Sequence, residues 1–372
     1  MVQTQLSPEV TRQLLTLSQC LNDYDGFTDV IGALVAGQHA TVEGVWGSSC
    51  ALLAAEVIRQ SPETTLVVCP DTAEIDPFCD DLSLFTTQVT ERFSAWETGL
   101  GERILHDEIY GERLRLLKML GSDLPPRAII TSIQSLLQTV PSRQLINENS
   151  RTLAVGQRVD ISELLKWLAS HGFHGTSAVE LPGEFSSRGG ILDVFAPDWH
   201  HPVRMELFDD EIESIRAFEV TSQRSLENVS TVDITMLLPS ERDQDHLVDY
   251  LPSGTSVLFL EPSLSLQRAR EFLERQDQPQ TFHSLPSVQK ALGRFATLSA
   301  ASLAEGHWDR SCRLPIESVE KFSGDYTKVR GELDHVGRDN QVYVVTQTVA
   351  EAERLQEIFT PTELAAAGQL HY

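Results

Sequence analysis

Two runs in the first third of the chain, "TLVVCP" at residues 65–70 and "RAIITS" at 127–132, are apolar at nearly every position and end in Pro or Ser. A strand with one face in water alternates apolar and polar residues. A short run without alternation belongs to a strand buried on both faces, as in a parallel sheet covered by helices. Parallel strands need long crossovers. The intervening "ILHDEIYGERLRLLKML" supplies a helical one, with Leu105, Ile109, Leu116 and Leu120 on one face and Asp, Glu and Arg on the other. Residues 1–148 are therefore expected to form an α/β lobe.

The same lobe contains "VEGVWGSSCALLAAEV" at 42–57, a strand, a glycine turn and a helix in the order of a phosphate-binding P-loop. In G-x-x-x-x-G-K-[ST] the lysine reaches the β- and γ-phosphates and the hydroxyl binds Mg²⁺. With Gly44 on the first glycine and Gly47 inside the turn, Ser49, Cys50 and Ala51 stand at the functional end. The loop is a degenerate one. A helix N-terminus can hold an anion without lysine, but MgATP hydrolysis is not expected here. The acids of "MELFDDE" at 205–211 imitate a Mg²⁺-binding strand end, yet their strand alternates, so Asp209 and Asp210 read as a hairpin turn.

Around residue 149 the texture changes. A short amphipathic helix, "ISELLKWLASHG", precedes alternating strands punctuated by Gly-Gly and Pro, which predicts an inserted α+β domain with an antiparallel sheet over 149–239. If Asp209 and Asp210 are the turn, Phe208 faces Glu211 and Arg204 faces Ile215. Arg204, Glu206 and Phe208 then share the side away from Met205 and Leu207. An aromatic beside an arginine on a wet face has the composition of a binding hot spot, although singly exposed apolar residues are common. In "SSRGG", Gly189 and Gly190 permit backbone angles that would hold Arg188 at the mouth of its strand. From 240, "GTSVLFLEP" and the helical "SLQRAREFLERQ" restore the strand–helix rhythm. Either the first domain resumes or, as drawn here, a smaller α/β lobe occupies 240–315, with a linker and the start of a further small α/β domain over 316–372.

Composition narrows the function classes. Against 29 Lys+Arg stand 54 Asp+Glu, a formal net charge of −25, with no basic run to hold nucleic acid. Cys20, Cys50, Cys69, Cys79 and Cys312 lack CxxC spacing, which fits buried free thiols in a reducing compartment rather than zinc or disulfides. The pairs His171/His174 and His200/His201 have no third ligand nearby in the sequence. No leader-like start and no run of about 18 apolar residues is present, so a soluble, cytoplasmic, monomeric chain with no membrane contact is expected.

"LPGEFSSRGGILDVFAP", "PVRMELFDDEIESIRAFEVTSQRS" and "LLPSER" together resemble the UvrB-homology module of bacterial transcription-repair coupling factors, and more distantly UvrB. The likeness is specific over 181–240, weaker from 40 to 145 and loose from 240 to 315. It implies two lobes of a defunct P-loop helicase-like fold with an inserted domain that binds UvrA, Arg188, Arg204 and Phe208 matching the gripping positions. Cys50 and Ala51 stand where UvrB carries lysine and threonine, and the stretch from Glu91 to Leu120 leaves no room for UvrB's long aromatic hairpin. The resemblance further implies a parent protein that is an ATP-driven DNA translocase, with ATP, Mg²⁺, RNA polymerase and DNA engaged by parts beyond residue 372. The chain itself is expected to be a truncation that is not an enzyme and carries no cofactor. An active UvrB-like helicase and a purely intramolecular scaffold are the alternatives.

Overall fold

The computed structural model describes residues 8–96, 108–122, 124–239, 243–303, 310–317, 326–346 and 348–372. Strands β1 (Ala40–Glu43), β2 (Thr65–Cys69), β3 (Thr90–Phe93) and β4 (Ala128–Ser132) lie in one parallel sheet, with β4 between β2 and β3. β2 and β4 are buried at every residue, as their unbroken apolar runs require. Successive residues feed opposite cores. Val67 and Ile130 pack with Ala54, Val57 and Ile58 of the helix Ser48–Gln60, whereas Leu66, Val68 and Ile129 pack with Leu114 and Leu117 of the helix Glu108–Met119. Leu105, placed on the latter helix by periodicity, lies outside the described residues, as do residues 97–107 of the stretch from Glu91 to Leu120 that leaves no room for an aromatic hairpin.

The insertion begins with β5 (Ser150–Ala154). It continues through β6 (His174–Gly175), β7 (Glu184–Arg188), β8 (Ile191–Phe195), β9 (Val203–Phe208), β10 (Glu211–Phe218) and β11 (Ser225–Asn228), and leaves by β12 (Thr231–Thr235). β6 to β11 form a six-stranded sheet in sequential order, antiparallel except between β6 and β7. β5 and β12 pair with each other, so the chain enters and leaves the domain side by side. One face of the large sheet is closed by Leu164 and Leu168 of the helix Ile161–Ser170, over Leu192, Val194, Met205, Ile212 and Ile215.

Asp209 and Asp210 do form the β9–β10 turn, with Asp209 at φ 55° and Phe208 opposite Glu211. The expected pairing of Arg204 with Ile215 is displaced by one residue: Arg204 faces Arg216, and Ile215 faces Met205. The cause is a bulge between Ile212 and Ser214. Residues three apart on a regular strand point to opposite faces, so the extra residue is what lets both Ile212 and Ile215 enter the core.

On its return the chain forms β13 (Ser256–Leu260), β14 (Ala296–Ala301) and β15 (Ser311–Arg313), and the sheet order is β15-β1-β14-β13-β2-β4-β3. β13 pairs with β2 from Ser256 opposite Thr65, and β14 pairs with β1. The smaller lobe drawn over 240–315 is therefore not a separate sheet; these strands complete the first one. A strand–helix rhythm identifies a crossover unit but not the sheet it joins. Beyond it, β16 (Val342–Tyr343) and β17 (Leu370–His371) pair over a small cluster containing Leu333, Phe359 and Leu364, and Tyr343 Oη donates to Gln13 Oε1 at 2.9 Å.

The insertion is seated on the lobe through the helix Glu108–Met119. Lys118 Nζ donates to Asp198 Oδ2 at 2.7 Å, Thr235 Oγ1 at 2.9 Å and the Asp233 carbonyl at 3.0 Å, and Tyr110 Oη donates to the Leu237 carbonyl at 2.7 Å. Among the described residues, no helix is long and apolar enough to cross a membrane.

Candidate functional site

The glycine loop lies between β1 and the helix Ser48–Gln60, the position of a nucleotide site in a P-loop fold. Gly44 (φ 78°) and Gly47 (φ 55°) supply the left-handed turns. Four of the loop's amides are spent within the protein. Val45 N–H bonds the Ala301 carbonyl, Trp46 N–H the Ser49 hydroxyl, Ser49 N–H the Trp46 carbonyl and Cys50 N–H the Gly47 carbonyl, at 2.9–3.3 Å. A phosphate-binding loop aims such amides at the ligand. The chain after β15 also covers the loop: a Cβ on Gly44 would lie 2.4 Å from the Leu314 carbonyl oxygen.

At the helix start Cys50 and Ala51 are core residues. Burial pushes the Cys50 thiol up to about 12, with the Glu261 and Glu74 carboxylates adding to it. Glu74 is itself raised, first by burial and then by Asp71 and Glu261, against Arg268. Acidic groups thus stand where a nucleotide site needs positive charge. Among the described residues, no three His, Cys, Asp or Glu side chains are grouped to hold a metal ion. His171 stacks on Trp167, with ring centroids 4.2 Å apart.

The second candidate is the outer face of the inserted sheet. Pairing fixes its members: Arg188 faces Ile191, Ile191 faces Glu206, and Asp193 faces Arg204. Leu192, Val194, Met205 and Leu207 point to the core, so Arg188, Ile191, Asp193, Arg204, Glu206 and Phe208 share the opposite side. From strand spacing, Arg188 sits about 10 Å across the sheet from β9, and Arg204 and Phe208 lie about 7 Å to either side of Glu206. The three residues singled out in the sequence are thus brought onto one face. Phe208 is 70% exposed and Ile191 39% exposed.

The arginines differ in how they are held. Arg188 is exposed, and its Nη2 donates to the Ser177 carbonyl. The β7–β8 turn beneath it is tight: Gly189 has φ 60°, and a Cβ on Gly190 would lie 2.6 Å from the Leu207 carbonyl oxygen. Arg204 instead forms a two-pronged ion pair with Asp193 and lies over the Phe218 ring, 4.6 Å from its centroid. The bonds to Asp193 raise its pKa further. Glu206 pairs with Arg216 and accepts from Ser214 Oγ at 3.0 Å. Asp193 was missed in the sequence, although its place between Leu192 and Val194 puts it on the wet side of an alternating strand. Phe218 and Gln223 carried no such signal.

The face thus carries an exposed aromatic and two ordered arginines, and residues 152–237, which include it, match the family described as the UvrB interaction domain. Beyond that domain the chain is similar to transcription-repair-coupling factors. It is 30% identical to that of Escherichia coli (strain K12) over 54% of this chain and 17% of the relative. It is 31% identical to that of Staphylococcus aureus (strain bovine RF122 / ET3-1) over 60% and 19%, and 32% identical to that of Myxococcus xanthus over 56% and 18%. The matched region spans less than a fifth of the length of these curated relatives.

Proposed function

We propose that this chain is a nucleotide-independent adaptor that recruits UvrA to transcription-coupled excision repair through the outer face of its inserted sheet. The observation that carries the reading is Phe208, 70% exposed and on one face with Arg204 and Arg188, inside the segment that matches the UvrB interaction domain. The name transcription-repair-coupling factor belongs to the relatives; it supports a place in the same process for this chain. Any ATP-driven translocation, and any contact with RNA polymerase or DNA, is assigned to regions of such proteins outside these 372 residues.

The reading is tested by capturing the chain on purified UvrA, with thermal melts of each variant. Aromatic and arginine anchors cost about 2 kcal/mol or more when truncated, so Phe208→Ala, Arg204→Ala and Arg188→Ala should each weaken binding roughly thirtyfold. Phe208→Ala and Arg188→Ala should leave folding within about 0.5 kcal/mol of the parent. Unchanged capture by all three folded variants would remove this face from the proposal. No capture by the parent chain would favour a scaffold role.

A further inference from the structure

Arg204 is held at three points by its own domain. Nε and Nη2 donate to the two oxygens of Asp193 at 2.7 Å each, Nη2 also donates to Gln223 Oε1 at 3.1 Å, and the guanidinium lies over the Phe218 ring. The side chains of Arg204 and Asp193 are 23% and 13% exposed. Among the described residues Nη1 has no acceptor, so the clamp commits one edge of the planar group and leaves two N–H donors over.

Two consequences follow from this arrangement. An unrestrained arginine carries about 2 kcal/mol of rotamer entropy, and a partner that fixed it would bear that cost; the clamp removes it before encounter. The clamp also cancels Arg204's charge, as Glu206 cancels that of Arg216. What Arg204 brings to a partner is thus a fixed donor geometry. Free positive charge on the face comes from Arg188, whose recorded bond is to a backbone carbonyl.

We propose that Asp193 is a positioning residue for partner binding: it fixes Arg204 so that Nη1 donates to a carboxylate on the protein partner, on the same face as the contacts made by Phe208 and Arg188. A carboxylate fits because an ionised carboxylate is acceptor-only and takes a short, charge-assisted bond from a guanidinium N–H held in place. The proposal rests on the UvrA-binding reading, and its test separates the two.

The experiment is a double-mutant cycle read by surface plasmon resonance on immobilised UvrA, with the chain as analyte and melts of every variant. Asp193→Asn, nearly isosteric, should weaken binding about tenfold, mainly through faster dissociation. In an Arg204→Ala background the same substitution should cause no further loss, because the residue it positions is gone. If a melt shows Asp193→Asn to be unfolded, Gln223→Ala takes its place in the cycle, with about a twofold loss expected that also vanishes without Arg204. Equal losses in both backgrounds would overturn the positioning role. So would unchanged binding by folded Asp193→Asn while Phe208→Ala still weakens capture, and that outcome leaves the UvrA reading standing. If neither Asp193→Asn nor Phe208→Ala weakens capture, both fall.

Discussion

Glu56 shows how far a single side chain can reach in this fold. It is fully buried in the helix Ser48–Gln60, yet it accepts from Ser18 Oγ at 3.1 Å, Asn22 Nδ2 at 2.6 Å, Arg59 Nε at 2.9 Å and Gln60 Nε2 at 2.6 Å. Burial alone would raise its pKa, but the bonds from Arg59, Asn22 and Gln60 outweigh it and hold the group below its ordinary 4.5. A carboxylate lowered in the fold contributes stability that is present above its unfolded pKa and lost as pH falls through the folded value. Glu56→Gln should therefore flatten the acid limb of stability below about pH 4.5. At neutral pH it should cost about 1–3 kcal/mol from imperfectly satisfied buried donors. Urea melts from pH 3 to 7 would check both, and an unchanged acid limb would refute the assignment.

At the scale of elements, the contact between helix and insertion depends on a residue without a side chain. A Cβ on Gly111 would lie 2.3 Å from the Pro197 carbonyl oxygen, so the helix Glu108–Met119 approaches the backbone of the insertion closely at that residue. Gly111→Ala should force the two apart and destabilise by about 1–3 kcal/mol, the usual cost of overpacking. Gly331 in the helix Tyr326–Gly337 meets nothing within 4 Å. Gly331→Ala should therefore stabilise, by about 0.5–1 kcal/mol. Thermal melts that ranked the two the other way would contradict the packing described. The β9–β10 bulge is the element-scale lesson in legibility. "EIESI" places two isoleucines three apart, which already demands an extra residue if both are core, yet simple alternation put Arg204 opposite Ile215.

For the whole molecule, the closed loop and the acidic groups around it agree with the net charge of −25 in opposing phosphate. Calorimetry should show no MgATP binding at millimolar nucleotide, and affinity in the micromolar range would overturn the adaptor reading's nucleotide independence. Cys50→Lys with Ala51→Thr should not restore binding. Ala51 is wholly buried, so threonine overpacks by about 1–3 kcal/mol, and the amides of Val45, Trp46, Ser49 and Cys50 remain bonded to the protein. Lys118 joins lobe to insertion opposite Asp198, whose pKa burial raises against the pull of that lysine. Removing it as Lys118→Met should cost about 3–5 kcal/mol, the penalty for stranding a buried carboxylate. An unchanged melting temperature would show the joint to be weaker than its geometry.

The sequence by itself determined the elements: β2 and β4 from runs that do not alternate, the Asp209–Asp210 turn, the wet face bearing Arg204 and Phe208, and the empty lysine position at Cys50. Each of these is a local matter of periodicity or residue type. Only the tertiary structure decided that β13 and β14 enter the first sheet between β1 and β2, that the Leu314 carbonyl closes over Gly44, and that Asp193 and Phe218 hold Arg204. Each of those depends on which distant segments meet. One strand pattern fits several sheets equally well, and the choice among them is made by packing energy summed over the whole core.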